Sequence, residues 1–169
     1  MTSEDYVEEK VKNPLDSLPK SSMSLDACKR LYNDHKLTDK KFFTTEFETM
    51  FDNEGFSLYR SNYKYNEDFE GRPDFVNNNF MRGIVQSMDN SRKYVFATLL
   101  MFGEDKKREL VGYWIMRGSQ PITEVFNNLL EDNNWEKLEF NKETLSLYNQ
   151  AFYEEKINDR QLLNRTIVL

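Results

Sequence analysis

Asp52 and Glu54 are the residues whose types and spacing come closest to chemistry. Two carboxylates two positions apart on a turn can chelate a hard cation or act as acid and base. No further Asp, Asn or Glu follows at calcium-loop spacing, however, and Asp52-Asn53-Glu54-Gly55 also suits the end of a helix, with Gly55 free to take a positive φ. The single histidine, His35, lies in Asn33-Asp34-His35-Lys36 and reads as a solvated helix-end side chain, because no nucleophile or orienting partner can be named for it. Cys28, the single cysteine, cannot form an internal disulfide and reads as a small apolar residue on the inner face of a helix. One Cys and one His cannot supply a zinc site. The six glycines are scattered, and neither the Walker nor the dinucleotide spacing occurs. The sequence nominates no catalytic residue, no cofactor and no metal ligand. Arg92-Lys93 and Lys106-Lys107-Arg108 are basic clusters in expected turns. Glu104, Asp105 and Glu109 flank the second, which reads as a self-neutralised loop tip.

These side chains need a scaffold. The chain has 169 residues, enough for one domain that buries roughly 70% of its unfolded surface. An aromatic content of 14% means the core leans on Phe and Tyr, and a net charge of −6 argues against general affinity for nucleic-acid phosphates. No signal peptide or apolar run of membrane-spanning length is present, which suits a cytoplasmic protein.

Residues 1–12 are charged, lack apolar periodicity and read as a flexible leader. Pro14 and Pro19 bracket an expected extended stretch. Ser24 reads as the N-cap of a helix burying Leu25, Cys28, Leu31 and Tyr32. A second helix is expected over Lys41–Phe51, burying Phe43, Phe47, Met50 and Phe51. From Phe56 the period changes to two, which predicts a strand. Phe80–Met88 is a second strand candidate, with Gly83 as a candidate bulge. Tyr94–Phe102 is nearly all apolar and predicts a central strand covered on both faces. A charged loop, Gly103–Glu109, leads to a strand over Leu110–Arg117, and Trp135–Phe140 adds a fifth. Leu145, Tyr148, Asn149 and Phe152 predict a closing helix within Lys142–Asp159. Short loops between consecutive strands imply an antiparallel meander, so the fold class is α+β.

Arg92-Lys93-Tyr94-Val95-Phe96, with Tyr59, Tyr63 and Tyr65, opens a second reading. On an RNA-binding α/β plait such aromatics stack on unpaired bases. The glycine expected before the first aromatic is missing, and the overall charge has the wrong sign.

Taken in order, Asn13-Pro14, Leu18-Pro19-Lys20-Ser21, Lys29-Arg30-Leu31-Tyr32 and Phe51-Asp52-Asn53-Glu54-Gly55-Phe56 form an ordered set of segments. Gln86, Asp89, Arg92-Lys93, Phe102-Gly103, Gly112-Tyr113-Trp114 and Arg117-Gly118 continue it. Over residues 13–140 this set resembles the C-terminal domain of translation elongation factor 1-gamma. The resemblance implies a five-stranded antiparallel sheet flanked by helices, ferredoxin-like in the broad sense, over residues 13–160. It implies a non-catalytic scaffolding or docking role within the elongation factor 1 complex, with the exchange subunit and the tRNA-delivering GTPase as partners. The alternative is a ribosome- or RNA-binding module; neither DNA nor a membrane is implied. Lys20, Arg92, Lys93 and Arg117 are basic positions inside the matched segments and the candidate partner-binding residues. Trp114, Gly112 and Gly83 are expected to determine the fold.

The chain departs from the resemblance at its end. Residues 149–169 contain no glycine or tryptophan, where the family carries a Trp-Glu-Gly segment and a basic tail, so 161–169 reads as a divergent tail. Twelve leading residues cannot hold the glutathione-transferase-like domain of family members, which implies a reduced stand-alone form or an excised piece.

Overall fold

The computed structural model describes residues 13–36, 38–104 and 107–169. The expected leader and the Asp105-Lys106 part of the expected loop tip lie outside them. Helix α1 (Leu25–Lys36) is followed by a single 3₁₀ turn at Phe42–Thr44 and short α2 (Glu46–Met50). Strand β1 (Phe56–Tyr63), α3 (Asp74–Met88), β2 (Val95–Glu104) and β3 (Lys107–Arg117) come next. Short helices α4 (Thr123–Phe126) and α5 (Leu129–Asp132) precede β4 (Asn133–Leu138) and α6 (Lys142–Tyr153). Strands β5 (Lys156–Ile157) and β6 (Arg160–Val168) close the chain.

Among the described residues the sheet has six strands where five were expected, in the order β4-β1-β3-β2-β6-β5, with every pairing antiparallel, and it curls into a half-barrel. It is not a meander. Both β1 and β2 pair antiparallel with β3, so they run parallel to each other with β3 between them, and α3 makes the crossover. Alternation along β2 sends Phe96, Leu100 and Phe102 to one face and Val95, Ala97, Leu99 and Met101 to the other. The first face packs against α1, the Phe42–Thr44 turn, α2 and α6; the second against α3, α4 and α5. That is why β2 is apolar almost throughout.

Segment 80–88 is helical, not a strand. Its buried residues continue from Asn77 through Met81 and Ile84 to Met88, a helical period. Gly83 sits on the exposed face, where an added Cβ would meet no atom within 4 Å. Gly83 is therefore no bulge and determines no packing. The second expected helix is broken: Thr45 has φ −120° and ψ −95°, which lets both Phe42 and Phe43 enter the core. Pro14–Ser17 makes a 3₁₀ turn rather than an extended run, with Pro14 at its first position. Strands β2 and β3 pair out to Glu104 and Lys107, so the expected charged loop is mostly strand.

Most of the expected tail is β6, which covers the edge of β2 from Ala97 to Phe102. Arg165 anchors it by donating from Nε to the Ala151 carbonyl at 2.8 Å and from Nη2 to the carbonyls of Gln150 (3.2 Å) and Glu154. Ala151 and the C-cap residue Glu154 lie at the end of α6, where carbonyls run out of intrahelical donors, whereas the Gln150 carbonyl also accepts from the Glu154 amide at 2.9 Å. Arg165→Met should therefore lower unfolding free energy by about 2–3 kcal/mol, the worth of a charged donor to partly buried carbonyls. Equilibrium urea unfolding checks it, and a change under about 0.5 kcal/mol would show that β6 is held by its ladder alone.

Candidate partner-docking groove

The proline-punctuated entry crosses one end of the sheet. Leu15 packs on the α3 side and Met23 is buried on the α1 side, so the segment between them bridges the two cores. Polar clamps hold it there. Asn13 Oδ1 accepts from the Leu15 amide (2.9 Å), Asp16 Oδ1 accepts from the Tyr94 hydroxyl (2.7 Å), and Ser21 Oγ donates to Asp52 Oδ2 (2.6 Å). The Ser21 hydroxyl, with the Glu54, Gly55 and Ser22 amides behind it, keeps the Asp52 carboxyl below its ordinary range. Asp52 is thus a structural acceptor, and Glu54 contributes only its amide to it, at 3.1 Å.

Gly55 has no positive φ, contrary to expectation. Its requirement is space, since a Cβ there would lie 2.5 Å from Asp52 Oδ2. The positive φ belongs to Gly118 (93°), where β3 turns away and its amide donates to the Gly55 carbonyl at 2.9 Å.

Between this segment and the sheet end lies an open groove of about 570 Å³. Leu15, Leu18, Met23, Leu25 and Phe56 supply its apolar lining, and Lys20, Lys93 and Arg117 its cations. Three of the four basic residues singled out from sequence therefore meet in one place. They come from the entry segment, the turn before β2 and the end of β3. Their roles differ. Arg117 is engaged within the fold: it donates from Nη1 to the Gly55 carbonyl (2.5 Å) and from Nη2 to the Pro19 carbonyl, and its guanidinium lies 5.4 Å from the Phe56 ring centre. Lys93 lies over Tyr94 at 5.0 Å, and the Tyr94 hydroxyl with Asp16 behind it raises the ammonium's pKa. Lys20 is exposed. Among the described residues neither Lys20 nor Lys93 forms an ion pair with a carboxylate.

Arg92 does not line the groove. Its side chain lies 3.9 Å from Asp89, and its carbonyl accepts from Lys29 Nζ at 3.0 Å. Sequence reasoning missed Asp16, Ser21 and Tyr94 as the clamps that shape the groove. The Asn-Pro and Pro-Lys-Ser punctuation was the available signal, because such residues place hydroxyls and carboxylates on non-helical backbone.

The residue types first suspected of chemistry are spent elsewhere. Cys28 is buried, and desolvation raises its thiol pKa to about 12. His35 is half-buried, not freely solvated: Nδ1 lies 2.6 Å from Asp39 Oδ1 and Nε2 lies 3.3 Å from Glu46 Oε2. The Asp39 hydrogen bond, followed by that to Glu46, holds the imidazole above its ordinary 6.5. A raised folded-state value means this bridge stabilises fully below about pH 6.5 and fades as pH rises through the raised value. His35→Gln should accordingly cost more stability at about pH 5.5 than at about pH 8.5. Urea midpoints of parent and variant across that range test this; a parallel pair of curves would sink it.

The chain matches the family described as "Elongation factor 1 gamma, conserved domain" over residues 10–120 of its 169. It belongs to the elongation factor 1-gamma conserved-domain family. The matched stretch contains the groove's entry segment, both groove lysines and Arg117, together with β1, α3, β2 and β3. Elongation factor 1-gamma of Prunus avium is 37% identical over 142 residues, covering 83% of this chain and 33% of the relative. "Probable elongation factor 1-gamma 1" of Arabidopsis thaliana is 37% identical over 144 residues (83% and 34%). Elongation factor 1-gamma of Drosophila melanogaster is 33% identical over 149 residues (86% and 33%). The chain spans about a third of the length of these curated relatives. Among its described residues no helix is long and apolar enough to cross a membrane.

Proposed function

We propose that this chain is a non-catalytic docking domain in cytosolic translation elongation, working within the elongation factor 1 complex. Its partners there are the nucleotide-exchange subunit and the tRNA-delivering GTPase. The family match over residues 10–120 carries the reading, together with relatives that bear the name elongation factor 1-gamma. The non-catalytic part rests on how the reactive residue types are used. The thiol is buried at high pKa, the imidazole is bridged by two carboxylates, and Asp52 clamps the entry segment. None of the three is left poised against a substrate.

Burial weighs against the RNA-binding alternative. Tyr59, Tyr63 and Tyr94 are each only 8% exposed; the first two pack in the core beneath α3, and the Tyr94 hydroxyl is bound to Asp16. Rings that would stack on bases must present a free face. Of the tyrosines in that reading only Tyr65, at 44%, does so.

Isolation of the native assembly containing this chain, with each subunit identified by mass spectrometry, tests the proposal. Stoichiometric recovery of the exchange subunit or the GTPase is expected. An assembly with no translation component would overturn it.

A further inference from the structure

We propose that the groove at the sheet end takes a short acidic peptide carrying an aliphatic side chain. This rests on the docking role proposed above and names the chemistry of one partner segment.

The occupant follows from charge and shape. The chain carries a net charge of −6, yet Lys20 and Lys93 stand at the groove without a carboxylate partner among the described residues. The lining cations Lys20, Lys93 and Arg117 outnumber the lining carboxylates Asp16 and Asp26, so in a protein with more acids than bases this groove is locally cationic and favours anionic ligands. The same groove is lined by leucines: Leu15 is half-buried, Leu25 is nearly covered, and Leu18 is 38% exposed. An aliphatic side chain laid on these leucines loses contact with water, while carboxylates of the same peptide pair with the lysines.

A polyphosphate backbone fits less well. Asp16 and Asp26 also line the groove, and Tyr94, the one tyrosine among its described lining residues, is buried with its hydroxyl bound to Asp16, so it offers no ring face to a base. A short peptide can set its carboxylates by the lysines and avoid the two aspartates; a uniform line of phosphates cannot. The floor is also stiff. Asn13, Asp16 and Ser21 pin the entry segment, and Arg117 bonds the Pro19 carbonyl, so little ordering is required on binding.

Fluorescence anisotropy on the full chain, with a labelled octapeptide of two leucines set among aspartates, provides the test. The acidic peptide should bind, with affinity falling as salt rises. The same peptide with asparagine for each aspartate should bind at least about tenfold more weakly. Lys20→Glu with Lys93→Glu should weaken the acidic peptide by a similar factor, and Leu18→Asp, at an exposed position, should weaken it independently of Lys20 and Lys93. Circular dichroism of each variant establishes that the fold is retained.

Equal binding of the two peptides, no binding, or indifference to the lysine reversals would overturn the assignment. So would tighter, lysine-dependent binding of single-stranded oligouridylate, or self-association of the chain that the same reversals abolish. The peptide assay reads the groove alone. Its failure alongside recovery of an elongation factor assembly would remove this inference and leave the docking role standing; loss of that assembly with peptide binding intact would do the reverse.

Discussion

Phe43→Ala should lower the unfolding free energy by about 3–5 kcal/mol and the melting temperature by on the order of 10 °C. Phe43 is fully buried at the centre of an aromatic cluster, with ring centres at 4.5 Å to Phe152, 5.1 Å to Phe42, 5.2 Å to Phe47 and 5.7 Å to Tyr148. These neighbours come from the Phe42–Thr44 turn, α2 and α6, so the cavity left by truncation is walled by separate elements that cannot all move inward. The Phe43 amide is also fixed, donating to Asn149 Oδ1 at 3.0 Å, which limits backbone collapse. Urea denaturation followed by far-ultraviolet circular dichroism gives the number. Phe75→Ala is the control: Phe75 is 65% exposed, and its loss should change stability by under about 0.5 kcal/mol. Similar losses in the two variants would refute the account of the core.

Gly112→Ala is the second large effect, at about 2–4 kcal/mol, and it acts by overfilling. Gly112 faces Ser61 across the β1–β3 pair, and Trp114 Nε1 donates to Ser61 Oγ at 2.8 Å directly above it. A Cβ at 112 would lie 2.4 Å from Trp114 Nε1 and 2.5 Å from Ser61 Oγ. Both atoms are buried, so the methyl group must break the indole hydrogen bond or push the strands apart. The indole emission should change with stability, because Trp114 is 2% exposed and packed on Phe126 and Trp135. Removing the Ser61 hydroxymethyl frees part of that space, so Ser61→Gly should rescue some of the loss in the double variant. Strict additivity of the two single changes would show that the crowding is not where the geometry places it.

The sequence and the structure part company most clearly at α3 and β6. Phe80–Met88 is a short apolar run, and periodicity alone cannot separate strand from helix over so few residues. Gly83 tilts the pattern towards a bulged strand. The better signal lies upstream: Pro73 and Asp74 begin the helix, and Asn77 is the first of its buried positions. Asn77 is polar yet 1% exposed; Nδ2 donates to the Phe69 carbonyl at 3.2 Å, which offsets part of its burial, while Oδ1 is buried without a partner among the described residues. That compensation is invisible in a hydrophobicity pattern.

For β6 the overlooked cue is the Asn158-Asp159 pair. Both have positive φ, 50° and 66°, and make a two-residue turn between Ile157 and Arg160. The β-branched run Thr166-Ile167-Val168 then pairs with β2.

Sequence alone determined the local conformations: α1 behind its Ser24 cap, the alternating β1, the doubly covered β2 and the closing α6. Each depends on backbone preference and apolar period within a dozen residues. Tertiary structure alone decided the strand order and the groove. Lys20, Lys93 and Arg117 are brought together because the starts of β1 and β2 and the end of β3 lie side by side, with Phe56 opposite Arg117 and Val95 opposite Met116. That juxtaposition is fixed by the free energy of burying both sheet faces, a sum over the whole chain that no local stretch of residues contains.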